Sequence, residues 1–480
     1  MEKIKEKLYS AIDAQADLFF QLSDDIWDHP ETCYTEFVSA GLQKEALKKL
    51  GFEVRENLAD IPTAFSGRYG HGHPVIGILG EFDALSGLSQ EAGKAEKCPV
   101  VPGANGHGCG HNLLGTAGIA AAYAVKEYLQ ESGQDGTIIY FGCPAEEGGA
   151  GKGFMARDGV FDELDCALTW HPGDNNCVTA GSTLANIVTR YRFHGMASHA
   201  AAAPEFGRSA LDAVTLMNVG AQFLREHVIQ DARIHYAVTD SGGVSPNVVQ
   251  ADTEVLYMTR APRIFQVQEI QERVDDIARG AALMTGTKME KIFVKATSDI
   301  VPNTVLNKVL QTNMENAPLP DFSVEDLAEA KAIYDAIPMK GGKLEKYLDK
   351  LGAGREAYEK YIGEPYYGSF VLPLLQDESH SAGSSDVGDV SWVTPTAQFT
   401  AATEAADTPG HSWQLTAQGK TGYAHKMELF AAKVLTGAAV DLLNDPEKIT
   451  EAKKELDQRR GKDGYICPIP KGVRPAGLKQ

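Results

Sequence analysis

The 480-residue chain is 43% hydrophobic, enough for at least one large core and, as a soft prior, roughly two to three domains. Its 65 acidic residues against 45 basic ones leave a formal charge of −20, which argues against nucleic acid or an anionic membrane surface as a partner. No apolar run approaches the ~18 residues of a membrane span, and the charged start MEKIKEKLYSAIDAQADLFF lacks the apolar stretch of a secretory signal, so a cytoplasmic location is expected.

Along the chain, SAGLQKEALKKLGFEV predicts an amphipathic helix stopped at Gly51 and a short strand over Phe52 to Val54. PVIGILGEFDAL holds a buried strand, Val75 to Leu79, that runs into Glu81 and Asp83. HGCGHN (107–112) is followed by the alanine-rich helix LLGTAGIAAAYAVKEYL. GTIIYFGCPAEEGG gives a second buried strand, Thr137 to Phe141, ending on Glu146 and Glu147, and DCALTWHP a third, ending at His171. Strands alternating with helices, with polar residues where strands end, predict an α/β fold whose ligands sit at the carboxyl ends of the strands.

From about residue 186 the pattern changes. NIVTRYRFHG and EVLYMTRAP alternate as half-exposed strands do, and helical stretches run over roughly 207–230 and 265–284. This predicts a separate α+β module, about 187–302, inserted into a first domain of about 1–186 and 303–480. Helix resumes near Thr304, and the segment 318–380 reads as an irregular insertion with one helix, KLEKYLDKL. TAQFTAA (396–402) is a buried strand and AHKMELFAAKVLTGAAVDLL a core helix, while the charged, then proline-containing tail after about 446 reads as peripheral. No internal repeat is evident.

The strand ends deliver Glu81, Asp83, Cys109, His111, Glu146, Glu147, His171 and His411. Imidazole, carboxylate and thiol together suit zinc, or manganese and cobalt where carboxylates dominate. Adjacent Glu146 and Glu147 also fit a split in which one binds metal and the other takes a proton from water. Singly, each has a blander reading: Glu146-Glu147 as a solvated loop, His171 as a strand-end histidine, His411 as a surface loop residue, Asp83 as a helix cap. Their joint placement is what favours a site. A Cys109–His nucleophile pair is the rival, and it leaves Glu146, Glu147, His171 and His411 without a role. The seven cysteines are odd in number and irregularly spaced, which argues against a disulfide framework.

These motifs resemble the di-metal amidohydrolase and peptidase family that includes carboxypeptidase G, aminoacylase and the plant auxin-conjugate hydrolases. HGCGHN, PAEEGG, WHP and TPGHSW look like its ligand motifs, FHGMASHAAAAPEFGRSALDAV like its lid signature, and GGVSPNVVQADTEVLYMTRAP like its substrate-clamping strands. The resemblance covers essentially the whole chain, in the family's order. It implies two divalent cations per subunit, manganese or zinc, held by Cys109, His111, Glu147, His171 and His411. It implies Glu146 as general base, Asp83 orienting a ligand histidine, and Glu81 in a supporting position. His199 in the lid would stabilise the oxyanion in a neighbouring subunit's site, and Asn247 and Arg260 would hold the substrate carboxylate, for which arginine's planar fork is suited. The implied reaction is cleavage of the amide bond of an N-acyl amino acid, of the p-aminobenzoyl-glutamate type. Alternatives are an indole-acetyl-aspartate-like conjugate, an unusual dipeptide, or a weakly active member of a heteromeric hydrolase. The last is opposed by the complete ligand set. A homodimer through the lid, or a heteromer with a related but different chain, is expected. One departure is Asn112 where the family has aspartate, which removes a negative charge expected to tune the ligands.

Overall fold

The computed structural model describes residues 1–375, 379–462 and 464–475. In chain order the strands are β1 (Glu53–Glu56), β2 (Phe65–His71), β3 (Val75–Glu81), β4 (Gly136–Cys143), β5 (Cys166–Gly173), β6 (Cys177–Thr179), β7 (Ser182–Thr183), β8 (Ala185–His194), β9 (Arg233–Asp240), β10 (Asp252–Ala261), β11 (Lys288–Thr297), β12 (His380–Ser381) and β13 (Thr396–Ala402). A seven-stranded mixed sheet runs β1-β2-β4-β3-β5-β13-β6. Its centre, β4-β3-β5-β13, is parallel.

β3 and β4 are buried at every position, as parallel strands covered on both faces must be. Ile76, Ile78, Ile138 and Tyr140 pack into one core with Leu114, Ala117, Ala121 and Leu435 from the helices His111–Ser132 and Gly422–Asn444. Val75, Leu79, Ile139 and Phe141 enter a second core with Phe154 and Phe161.

A second sheet, β11-β8-β10-β9, is antiparallel throughout, and β12 pairs with β7 in a short parallel sheet of two strands. Along β10, Val255, Tyr257, Thr259 and Ala261 are buried, on the face covered by the helices Ala210–Leu224 and Ile264–Thr285. Glu254, Leu256, Met258 and Arg260 alternate with them on a half-exposed face. β9 is the edge strand, exposed at every position except Ile234. No helix among the described residues is long and apolar enough to cross a membrane.

Several boundaries differ from the sequence reading. The first long helix of this second unit stops at Leu224, and a 3₁₀ turn, Arg225–His227, follows. The 318–380 segment, of which 376–378 lie outside the described residues, holds a second α-helix, Val324–Asp335, started by a Ser323/Asp326 capping box. The tail is not peripheral up to residue 475. The helix Pro446–Arg460 buries Ile449, Ala452 and Leu456, Ile469 enters the second core, and the Tyr465 hydroxyl donates to Asp389.

Candidate active site

The carboxyl ends of the parallel strands converge on one place. β3 delivers Glu81 and Asp83, the turn after β4 delivers Glu146 and Glu147, β5 delivers His171, and the loop after β13 delivers His411. HGCGHN forms a tight turn into the helix His111–Ser132. Gly110 takes a left-handed conformation (φ 71°), and a Cβ there would lie 2.8 Å from Pro172, so glycine is required for β5 to pass beside the turn. One turn into the helix, a Cβ on Gly115 would sit 2.6 Å from the Glu81 carbonyl oxygen, and this close approach sets His111 over the end of β3. The His411 backbone N–H donates to the Gly108 carbonyl at 3.1 Å, joining the last loop to the same turn.

Donor atoms of Cys109, His111 and His171 lie within 4.8 Å of one another, as do those of Cys109, Glu147 and His411, and those of Glu81, His111 and Glu146. Cys109 Sγ is 3.5 Å from His171 Nε2, and His411 Nε2 is 3.3 Å from Glu147 Oε1. The His111 ring is held from behind: Asp83 Oδ1 lies 2.9 Å from Nδ1, which makes Nδ1–H the donor and aims Nε2 inward. His171 is oriented the same way by the Pro172 carbonyl, 2.7 Å from its Nδ1. His111 Nε2, Glu81 Oε2 and Glu147 Oε1 are buried and face one another or His411, at 3.1 and 3.3 Å, without a well-aligned hydrogen bond, an arrangement that a shared cation would satisfy. A divalent cation fits this donor set.

Burial, then the charges of Glu81, Asp386 and Glu147, pushes the Glu146 carboxyl well above the usual range. Burial opposes the charge on Glu81, but Lys152, His111 and His171 outweigh it and hold that carboxyl low. Burial raises the Cys109 thiol, with Glu147 and Glu146 adding to the rise against His111. A thiol so raised is a poor nucleophile, and it reaches the thiolate form when a cation binds it.

Sequence reasoning missed the support behind this cluster. Lys152, fully buried, bridges Glu81 Oε1 at 2.6 Å and Asp386 Oδ1 at 2.7 Å, and its backbone N–H donates to Asp386 Oδ2. Asp83 Oδ2 accepts the Glu147 backbone N–H, and Lys295, at the end of β11, donates to the Glu147 carbonyl at 2.9 Å. Glu81 is therefore not behind the cluster, because Oε2 lies 3.1 Å from His111 Nε2. Asn112 faces the other way, donating to Ser23 Oγ and the Gly419 carbonyl, so the carboxylate backing His111 is that of Asp83. The three residues read from the inserted module are not part of the gathered cluster. His199 and Asn247 are exposed on adjacent segments joined by a His199–Val248 bridge, and Arg260 donates to the Ala382 carbonyl.

The chain belongs to peptidase family M20/M25/M40, whose sequence model matches residues 78–455, and it is a hydrolase of the metal-dependent amidohydrolase kind. It is 47% identical to one of the subunits of p-aminobenzoyl-glutamate hydrolase from Escherichia coli (strain K12) over 481 aligned residues, covering all of both chains. It is 28% identical to the Mus musculus Xaa-Arg dipeptidase over 95% of this chain and 93% of that one. Its fold is that of a dinuclear metal-binding M20 peptidase from Bacillus subtilis (TM-score 0.56, 16% identity, 90% of this chain and 99% of that one).

Proposed function

We propose that this chain cleaves the amide bond of an N-acyl amino acid with a free carboxylate, of the p-aminobenzoyl-glutamate type. The carrying observation is the gathered Cys109, His111, Glu147, His171 and His411, with His111 Nε2 and Glu147 Oε1 buried and making no well-aligned hydrogen bond. The full-length likeness to a chain of p-aminobenzoyl-glutamate hydrolase supports the substrate class. In this reading these five residues hold two divalent cations, manganese or zinc, which when bound supply a more acidic water and a polarised carbonyl.

The chain's own groups do the rest. Glu146 takes a proton from the attacking water and passes that proton to the leaving amine. Asp83 keeps the His111 tautomer fixed. Residues 1–186 and 303–480 form the catalytic domain, and 187–302 the lid. Arg260 and Asn247 dock the substrate carboxylate, and His199 of a second copy stabilises the oxyanion. The exposure of His199, outside the gathered donor groups of its own chain, supports a shared site. A homodimer through the lid edge is supported by exposed Phe223, Tyr236 and Val238. A heteromer is the alternative, since the Escherichia coli hydrolase has two different subunits and both are similar to this chain. All seven cysteines are free, which supports a cytoplasmic location.

The test is turnover by the purified chain alone, with manganese or zinc added, on N-(4-aminobenzoyl) and N-acetyl conjugates of glutamate, aspartate and alanine and on dipeptides. Release of amino acid from the aminobenzoyl-glutamate conjugate is expected. Turnover confined to dipeptides, or absent in every arm, overturns the assignment.

A further inference from the structure

One corner of the lid sheet carries two arginines that no carboxylate among the described residues pairs with. Arg260 on β10 stands directly across from Arg233 on β9, and Met258 across from His235. Ile234 is buried while Arg233 and His235 are not, so Arg233, His235 and Arg260 share the face turned away from the two lid helices. Together with Leu184, Pro262 and residues 379–382, His380 among them, they line a cavity of about 560 Å³. Asp231 is the one carboxylate among the described residues that line it.

Two guanidiniums facing each other across a strand pair repel, and such pairs are ordinarily relieved by a carboxylate. Further along this same face that relief is present: Glu254 accepts from Arg192 at 2.8 Å and lies 3.2 Å from Arg190. At the Arg233–Arg260 corner the partners are neutral. Arg260 donates to Met258 Sδ and the Ala382 carbonyl, and Arg233 to the Gln230 and Ala232 carbonyls. Among the described residues neither is paired with a carboxylate, in a chain whose net charge is −20. Burial, then the charges of Arg260, Arg225 and Arg233, holds His235 below its ordinary pKa, which leaves a neutral imidazole able to donate one hydrogen bond.

We propose that Arg233 and His235 form a subsite for a second carboxylate, beside the one docked on Arg260, so that the site selects N-acyl conjugates of dicarboxylic amino acids. This rests on the proposed function and adds what reads the amino-acid side chain. Cross-strand Cβ atoms stand about 5 Å apart, the scale on which a glutamate separates its two carboxylates. Each bidentate guanidinium–carboxylate pair also supplies geometry that a neutral amide cannot copy.

Two measurements separate this subsite from the reading beneath it. The first is calorimetric binding of glutarate and of butyrate to metal-free protein, wild type and Arg233→Met. Tighter binding of glutarate by wild type, weakened tenfold or more in Arg233→Met with unchanged circular dichroism, supports the subsite whether or not the chain turns over. Equal binding of the two acids, or a glutarate affinity untouched by the substitution, overturns it. The second is the ratio of kcat/KM for aminobenzoyl-glutamate over aminobenzoyl-glutamine in the metal-loaded protein. The ratio should fall tenfold or more in Arg233→Met, chiefly through KM, and recover in part in Arg233→Lys. An unchanged ratio removes the subsite and leaves the hydrolase standing, whereas wild type that cleaves neither conjugate removes the hydrolase reading.

Discussion

Glu146 and Glu147 are neighbours in sequence with opposite surroundings. Glu147 Oε1 points at His411 and its backbone N–H is tied to Asp83, while burial and then the surrounding carboxylates favour the protonated form of Glu146. Glu147→Gln should therefore lose bound metal, measured by plasma mass spectrometry, whereas Glu146→Gln should keep it and lose ~10²-fold or more in kcat. Equal metal loss in both would overturn that division. Lys152 offers a different test. It is the cation between two buried anions, so Lys152→Met leaves Glu81 and Asp386 uncompensated, and unfolding by denaturant should show a loss of about 3–5 kcal/mol. A loss under about 1 kcal/mol would mean that one carboxylate simply takes up a proton. The donor residues were legible in the sequence because each follows an apolar strand or sits in a glycine-flanked turn. Lys152 was not, since its place in GGAGKGF suggests an exposed turn and its partner Asp386 is 234 positions away.

At the scale of elements, periodicity located the strands and helices that are buried on one or both faces. KLEKYLDKL and TAQFTAA coincide with Lys343–Leu351 and Thr396–Ala402. Elements stabilised chiefly by caps or by docking were harder to read, as with Val324–Asp335, whose Ser323 cap does not stand out within a charged segment, and the tail helix Pro446–Arg460. The segments carrying His199 and Asn247 are also legible only as sequence, because their side chains face outward in a single chain. If the site is shared, a dimer mixed from His199→Ala and Glu146→Gln chains contains one site with both defects and one with neither. Co-expressed chains with different tags, purified through both, should regain activity towards half of wild type. Verified mixed dimers without activity would confine His199 to its own chain or remove it from catalysis.

For the molecule as a whole, the two larger sheets differ in how their strands are ordered in time. The four strands of the antiparallel sheet lie within Ala185–Thr297, so every pairing it needs is available once that stretch has been made. The seven-stranded sheet is different, because β13 sits between β5 and β6 although it is made more than two hundred residues after either. At ribosomal speeds β5 therefore waits roughly ten to forty seconds with one edge of its backbone unpaired. An apolar strand in that condition is a template for wrong partners. The gap closes on the strand whose following loop brings His411, so the nascent chain acquires its last donor residue and sheds its most adhesive edge in the same event.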